Sequence, residues 1–220
     1  RRAVALLLAG LALAGTGGVR AEPVSPRFRP PVPHTVPELG AQVLSAEERA
    51  YLDKLPEIRV AVPRPPARPY ETLSTDGEVG GIHPDMLVYL GRAFGLRLRP
   101  VLMPDWSSTL AAAKKREVDL LMTLGATPER AEYLAFTLGA TALPGALFGR
   151  QAGLGSAGDS PAPAMATFAL ERAYMANDFV RRQFPQARIV SVEDTGQALA
   201  AVSRGQADYY LGSLLEANDW

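Results

Sequence analysis

The sequence predicts an α/β fold of two similar lobes, and three observations point to it. Predicted strands and helices alternate from Glu57 to Leu211, the pattern that gives largely parallel sheets. Leu110-Ala111-Ala112 and then Arg116-Glu117-Val118-Asp119-Leu120-Leu121-Met122 recur as Leu199-Ala200-Ala201 and then Gly205-Gln206-Ala207-Asp208-Tyr209-Tyr210-Leu211. The offset is constant, since 199 − 110 and 208 − 119 both give 89. A Gly/Pro/Ser-rich stretch, Gln151 to Pro163, separates the copies. Each copy reads as a helix, a tight turn, an Asp and an apolar strand. One such unit in each of two lobes is the simplest reading; coincidence between two ordinary helix–strand units is the alternative.

The elements follow in order. Ser45 and Glu48 make a capping box ahead of a short helix through Lys54. Glu57 to Val62 alternates as a strand and stops at Pro63. Arg64 to Tyr70 is a Pro-rich loop, and Asp76-Gly77 is a turn. Pro84 opens a helix through Phe94 with Met86, Leu87, Leu90 and Phe94 on one face. Gly95 is its C-terminal cap. Leu96–Leu102 is a strand, Ser107–Arg116 a helix, Val118–Met122 a buried strand, Pro128–Tyr133 a short helix and Ala146–Arg150 a crossing strand. Beyond the break come strand Met165–Leu170, helix Ala173–Phe184, strand Arg188–Val192, helix Thr195–Arg204 and strand Ala207–Leu211.

Ahead of all this, Arg1-Arg2, the apolar run Ala3 to Ala14 and the small residues around Val19-Arg20-Ala21 have the layout of a secretory signal peptide cleaved after Ala21. The apolar run is short for a membrane span. Residues 22–44 form a linker in which six prolines between Pro23 and Pro37 favour extended backbone. The expected division is therefore signal peptide 1–21, linker 22–44, lobe one 45–150, and lobe two 151–220 up to a return crossing into lobe one, whose closing elements are expected to be missing.

Charge is balanced, with 23 basic and 23 acidic residues, so nothing favours nucleic acid as a partner. There is no cysteine, which excludes disulfides and thiolate sites. His34 and His83 are the only histidines and lie far apart in sequence, so neither a metal site nor a cofactor is expected.

Several segments together resemble the family 3 extracellular solute-binding proteins. They are strand Ile58–Val62, the loop ending at Tyr70, Gly77-x-x-Gly80-Gly81-Ile82 before Asp85, Val118–Met122 with Thr127-Pro128-Glu129-Arg130 and Phe136-Thr137, and Gly205-Gln206-Ala207-Asp208. Leu44 to Arg49 and Phe184-Pro185-Gln186-Ala187 are similar to the periplasmic domains of BvgS-type hybrid sensor kinases. The resemblance implies a two-lobed Venus-flytrap fold of the periplasmic-binding-protein-like II class, located in the periplasm, which closes on a small ligand.

The same resemblance implies the site. Arg130 stands where amino-acid-binding relatives grip a ligand carboxylate, and a planar guanidinium can do so bidentately; a surface Arg paired with Glu129 or Glu132 is the alternative. Tyr70 stands where relatives place an aromatic on the ligand, or it packs the hinge. Main-chain N–H groups of Gly125 and Ala126 are expected to meet an anion. Thr127 is expected either to join them or to cap the next helix. Two positions depart from the family: Ser213 replaces the Asp that pairs with an α-ammonium, and Glu171-Arg172 replaces a Gly-Ser/Thr turn. Arg172 would attract a carboxylate and Glu171 would repel one. A carboxylate or amino-acid-like ligand is expected, without a required ammonium; a lobe pair that holds its shape with no ligand is also open. Asp119 and Asp208 read as braces of equivalent turns rather than a catalytic pair, and Trp106 and Trp220 as packing residues. No catalytic residue is expected. A sensor domain ahead of kinase domains in the same chain is the first functional reading, and a free binding protein serving an ABC permease the second. An enzyme on this scaffold lacks a nucleophile with a matched base.

Overall fold

A computed structural model describes residues 25–30, 43–139, 141–150 and 165–220. The expected signal peptide, His34 and the Gln151–Pro163 break lie outside the described residues.

The chain enters through β1 (Arg27–Phe28) and helix α1 (Ala46–Lys54). The Ser45 hydroxyl accepts from the Glu48 N–H, and the Glu48 carboxylate accepts from the Ser45 N–H, completing the capping box. Next come β2 (Ile58–Pro63), β3 (Thr72–Leu73), β4 (Glu78–Gly80), α2 (Ile82–Phe94), β5 (Leu98–Met103), α3 (Trp106–Lys114), β6 (Leu120–Leu121) and α4 (Pro128–Ala131). The second half runs β7 (Gly145–Gly149), β8 (Thr167–Glu171), α5 (Ala176–Gln183), β9 (Arg188–Val192), α6 (Thr195–Ser203), β10 (Tyr209–Ser213) and α7 (Leu214–Asn218).

Two main sheets result. In the first, β2 lies between β5 and β6, all parallel. In the second the order is β7-β10-β8-β9, with β7 antiparallel to β10 and the rest parallel. Alternating βα units produce the parallel pairs, because each helix carries the chain back to the start of the next strand. β7 therefore belongs to the second sheet, whereas the expected boundary at Arg150 placed it with the first.

The stretch expected as an extended linker also contributes structure. β1 pairs with β4, which pairs with β3, in a small third sheet around the Asp76-Gly77 turn. Arg27 bonds Asp76, and Arg29 bonds Asp85 at the start of α2. The basic residues between the prolines find these carboxylates, so the backbone that proline keeps extended becomes an edge strand.

The 89-residue repeat is physical. Asp105 caps α3 by accepting from the Ser108 N–H, and Asp194 caps α6 by accepting from the Gln197 N–H. Asp119 accepts from the Arg59 N–H at 2.8 Å, and Asp208 accepts from the Thr167 N–H at 2.8 Å. Each Asp thus braces a parallel strand of its own sheet, β2 in the first and β8 in the second. Ala112 and Ala113 pack with Ala61 and Val118 in one lobe; Ala201 and Val202 pack with Ala169 and Ala207 in the other. Small side chains at these positions let each helix approach its sheet.

The expected apolar face of α2 is rotated. Of Met86, Leu87, Leu90 and Phe94, only Leu87 is buried; Met86 and Leu90 are exposed. Gly91 faces Leu98, leaving a Cβ there only 2.8 Å from a Leu98 methyl, so the helix seats its glycine rather than its leucine stripe against the sheet.

Candidate functional site

Residues from both lobes enclose a cavity of about 110 Å3. The first lobe supplies the loop Pro63 to Ala67, Glu71, Trp106 and Thr123; the second supplies Glu171, Tyr174, Glu193, Asp194, Thr195, Glu216 and Trp220.

Glu71 is placed by its loop. The loop is tied to the start of α2, where the Ile82 and His83 N–H groups donate to the Pro69 and Tyr70 carbonyls. Gly81 makes that approach possible: its φ is +109°, and a Cβ there would lie 2.7 Å from the Tyr70 oxygen. Glu71 is 2% exposed. Its Oε1 accepts from the Thr123 hydroxyl at 2.5 Å, and its Oε2 has no hydrogen-bond partner among the described residues. Burial, with the nearby Glu216 charge, pushes its pKa up to about 7 against the opposing Thr123 bond.

The Thr123 hydroxyl, having donated to Glu71, accepts from His83 Nδ1 at 2.7 Å. His83 Nε2 then accepts from the Thr141 hydroxyl at 2.7 Å. Burial lowers the His83 pKa, which fits this neutral tautomer. The ring stacks on Tyr70 with centroids 5.3 Å apart.

Two further carboxyls face Glu71 from the second lobe. Glu171 ends β8, and its Oε1 accepts from the Tyr210 hydroxyl at 2.8 Å and lies 2.9 Å from the Thr195 hydroxyl. Its Oε2 is buried without a partner among the described residues. Glu216 sits on α7, with Oε1 3.1 Å from the same Thr195 hydroxyl. Burial raises the pKa of both, that of Glu216 to about 7. Thr195 has one proton to give two carboxyls. One of the two contacts therefore needs a proton on a carboxyl oxygen, which agrees with the raised values.

Of the residues singled out in the sequence, Glu171, Trp106 and Trp220 line this cavity, while Arg130, Tyr70, Thr127, Gly125, Ala126, Arg172 and Ser213 do not. Arg130 is 5% exposed. It donates through Nη1 to the Gly125 carbonyl at 2.8 Å and through Nη2 to the Ala173 carbonyl of the other lobe at 2.7 Å. Its guanidinium carbon lies 5.7 Å from the Trp106 ring centroid, and burial lowers its pKa. Thr127 caps α4 by accepting from the Arg130 N–H. Gly125 faces Met175 across the lobes, and a Cβ there would lie 2.6 Å from the sulfur. Ala126 is exposed. Tyr70 is buried beside Glu71, its hydroxyl without a partner among the described residues. Arg172 is exposed and bonds Glu193 at 2.7 Å. Ser213 caps α7, the helix that carries Glu216.

Sequence reasoning noted Glu171 but missed Glu71, Thr123, Thr195 and Glu216 as cleft residues, and took Trp106 and Trp220 as packing alone. The available signal was small: an acid directly after Tyr70 at the end of a Pro-rich loop, and an acid three residues after Ser213.

Residues 58–157 match the model of the bacterial extracellular solute-binding proteins, family 3. The chain is 29% identical to Sensor protein EvgS of Escherichia coli O157:H7 over 178 residues, 77% of this chain and 14% of that protein. The crystal structure of the Bordetella pertussis BvgS periplasmic domain is similar with a TM-score of 0.65 at 26% identity, over 78% of this chain and 33% of that one. The BvgS periplasmic VFT2 domain of the same organism gives a TM-score of 0.66 at 25% identity, over 80% of this chain and 74% of that one. The chain thus spans only a small part of the curated relative it matches. By sequence, residues 58–157 are similar to the family 3 extracellular solute-binding proteins, and over most of its length the chain has the two-lobed flytrap fold that it shares with BvgS-type periplasmic sensor domains.

Proposed function

We propose that this is a periplasmic sensor domain, exported by the segment ahead of Glu22, that binds a small solute between its lobes and reports it through lobe closure to kinase domains of the same protein. The observation that carries this reading is the interlobe cavity with polar groups converging from both lobes. A solute touching both walls binds the closed arrangement better than the open one, and so shifts the balance between them. The segment itself does no chemistry in this reading.

Arg130 acts here as a clasp. Its bond to the Ala173 carbonyl joins the lobes directly. The Trp106 indole N–H reaches the same oxygen at 3.4 Å. Closure then has a protein-only contribution, and the solute adjusts an equilibrium that already leans closed. In a second reading, favoured by its seat against cavity-lining Trp106, Arg130 turns from Ala173 to a ligand carboxylate, and Tyr70, Thr127 and the Gly125-Ala126 turn support that grip. Delivery to an ABC permease is the alternative output.

The chain has no cysteine, so labels can be introduced cleanly. Lys115→Cys and Arg182→Cys place spin labels on exposed sites of the two lobes. The interlobe distance should narrow in distribution with a bound solute and broaden with Arg130→Ala. A distance insensitive both to Arg130→Ala and to every solute tested would falsify the closure reading.

A further inference from the structure

We infer that the cleft takes an organic cation, a primary amine or guanidinium needing no carboxylate of its own, held between Glu71 of the first lobe and Glu171 and Glu216 of the second. This rests on the solute-binding reading above and names its ligand class.

The sign of the lining comes first. Glu71, Glu171, Glu193, Asp194 and Glu216 line the cavity against one guanidinium, that of Arg64, which is exposed. Glu193 is paired with Arg172, and Asp194 is bonded to the Gln197 N–H. That leaves Glu71, Glu171 and Glu216, none of which has a salt-bridge partner among the described residues. Arg130, the nearby buried cation, has donors committed to the Gly125 and Ala173 carbonyls.

The second observation is independent of the charge count. Glu71 is 2% exposed, lines the cavity, and keeps Oε2 without a hydrogen-bond partner among the described residues. Glu171 Oε2 is in the same condition. A buried carboxylate oxygen with no donor is costly, and a cation seated against the Glu71 and Glu171 carboxyls that line the cavity offsets that cost in both lobes at once. An anion would meet three carboxyls instead.

The walls agree. Trp106, Tyr174 and Trp220 also line the cavity, and aromatic faces attract ammonium and guanidinium groups. Among the described residues no three carboxyls or imidazoles are grouped as a metal ion requires, so the matching ligand presents its N–H donors at separate points. About 110 Å3 has room for several non-hydrogen atoms.

Binding carries a proton signature. A cation entering the cluster favours the ionised carboxyls, so the proton held on a carboxyl oxygen of the Glu171–Glu216 pair is released.

The test is calorimetry and thermal shift on the chain at pH 8 with 1,4-diaminobutane, agmatine and ethanolamine, against acetate and succinate. At least one cation should raise the melting temperature, and its binding enthalpy near pH 7 should vary with the ionisation enthalpy of the buffer. Glu71→Gln and Glu171→Gln should each weaken its Kd at least tenfold, with circular dichroism confirming the fold; Glu216→Gln provides the same comparison should either fail to fold. Binding of acetate or succinate with no cation response overturns the ligand class and leaves the solute-binding reading standing. Cation binding unchanged in the glutamine variants overturns the site. No response to any of the five compounds also overturns the ligand class, and the interlobe distance measurement then decides the solute-binding reading separately.

Discussion

Arg130 of the first lobe and Ala173 of the second are joined by a guanidinium-to-carbonyl hydrogen bond of 2.7 Å. Hydrogen bonds from a charged donor contribute about 1.5–3 kcal/mol each. Arg130→Ala removes this bond and the one to Gly125, so a loss of roughly 2–4 kcal/mol is expected. A lysine cannot span two carbonyls in a planar fork, so Arg130→Lys should recover less than half of it. Chemical denaturation of the three proteins checks both statements.

Stability should fall as pH rises from about 4.5 to about 7. Glu71 and Glu216 have folded-state pKa values raised to about 7. Each therefore holds a proton in the folded chain where the unfolded chain has released it. The associated stability is fully present below the unfolded value and is lost as pH climbs through the folded one. The expected loss is of order 1–3 kcal/mol, read as a melting temperature several degrees lower at pH 7.5 than at pH 5. A Glu71→Gln, Glu216→Gln double variant should flatten the slope. Asp119, held at about 2 by Arg59, has the opposite sign but loses its contribution only below its ordinary 3.8, outside this window.

Gly81→Ala should cost more than 2 kcal/mol or so, since it combines a positive φ with a backbone clash. The expected consequence reaches Glu71, because the loop before it is tied to the same turn. Loss of ligand affinity together with a lower melting temperature is the predicted pair of readouts.

Arg116 has φ +61°, and the residue 89 positions later, Gly205, has φ +74°. The two lobes thus use the same left-handed turn, one with the residue suited to it and one without. Arg116→Gly should leave the chain as stable or raise it by about 0.5–1 kcal/mol. Gly205→Ala should lower it by about 1 kcal/mol. A lowered denaturation midpoint for Gly205→Ala with an unchanged or raised one for Arg116→Gly would support the equivalence; destabilisation by both would refute it.

The framework was legible because its determinants are local. Ser45 and Glu48 write a capping box in four residues, Asp119 and Asp208 sit in identical turns, and alternation marks β2. The cleft was less legible because its residues are brought together from distant segments. Glu71 follows a loop folded back onto Gly81, and Glu216 sits on a five-residue helix that no periodicity announces. What makes them notable is the absence of a counter-charge among the described residues, a property of three-dimensional surroundings that a sequence does not display. Arg130 is expected from the sequence to grip a ligand carboxylate or to pair with Glu129 or Glu132 at the surface, whereas its partners here are the main-chain oxygens of Gly125 and Ala173, which carry no signature in side-chain identity.

Ala173 accepts from Arg130 and lies within reach of Trp106 through the same oxygen. Attachment at a single atom constrains distance far more than orientation, as a ball joint does. Turning about that oxygen stretches the contact less than pulling away from it, so the Arg130–Ala173 bond limits how far the halves part more than how they are turned.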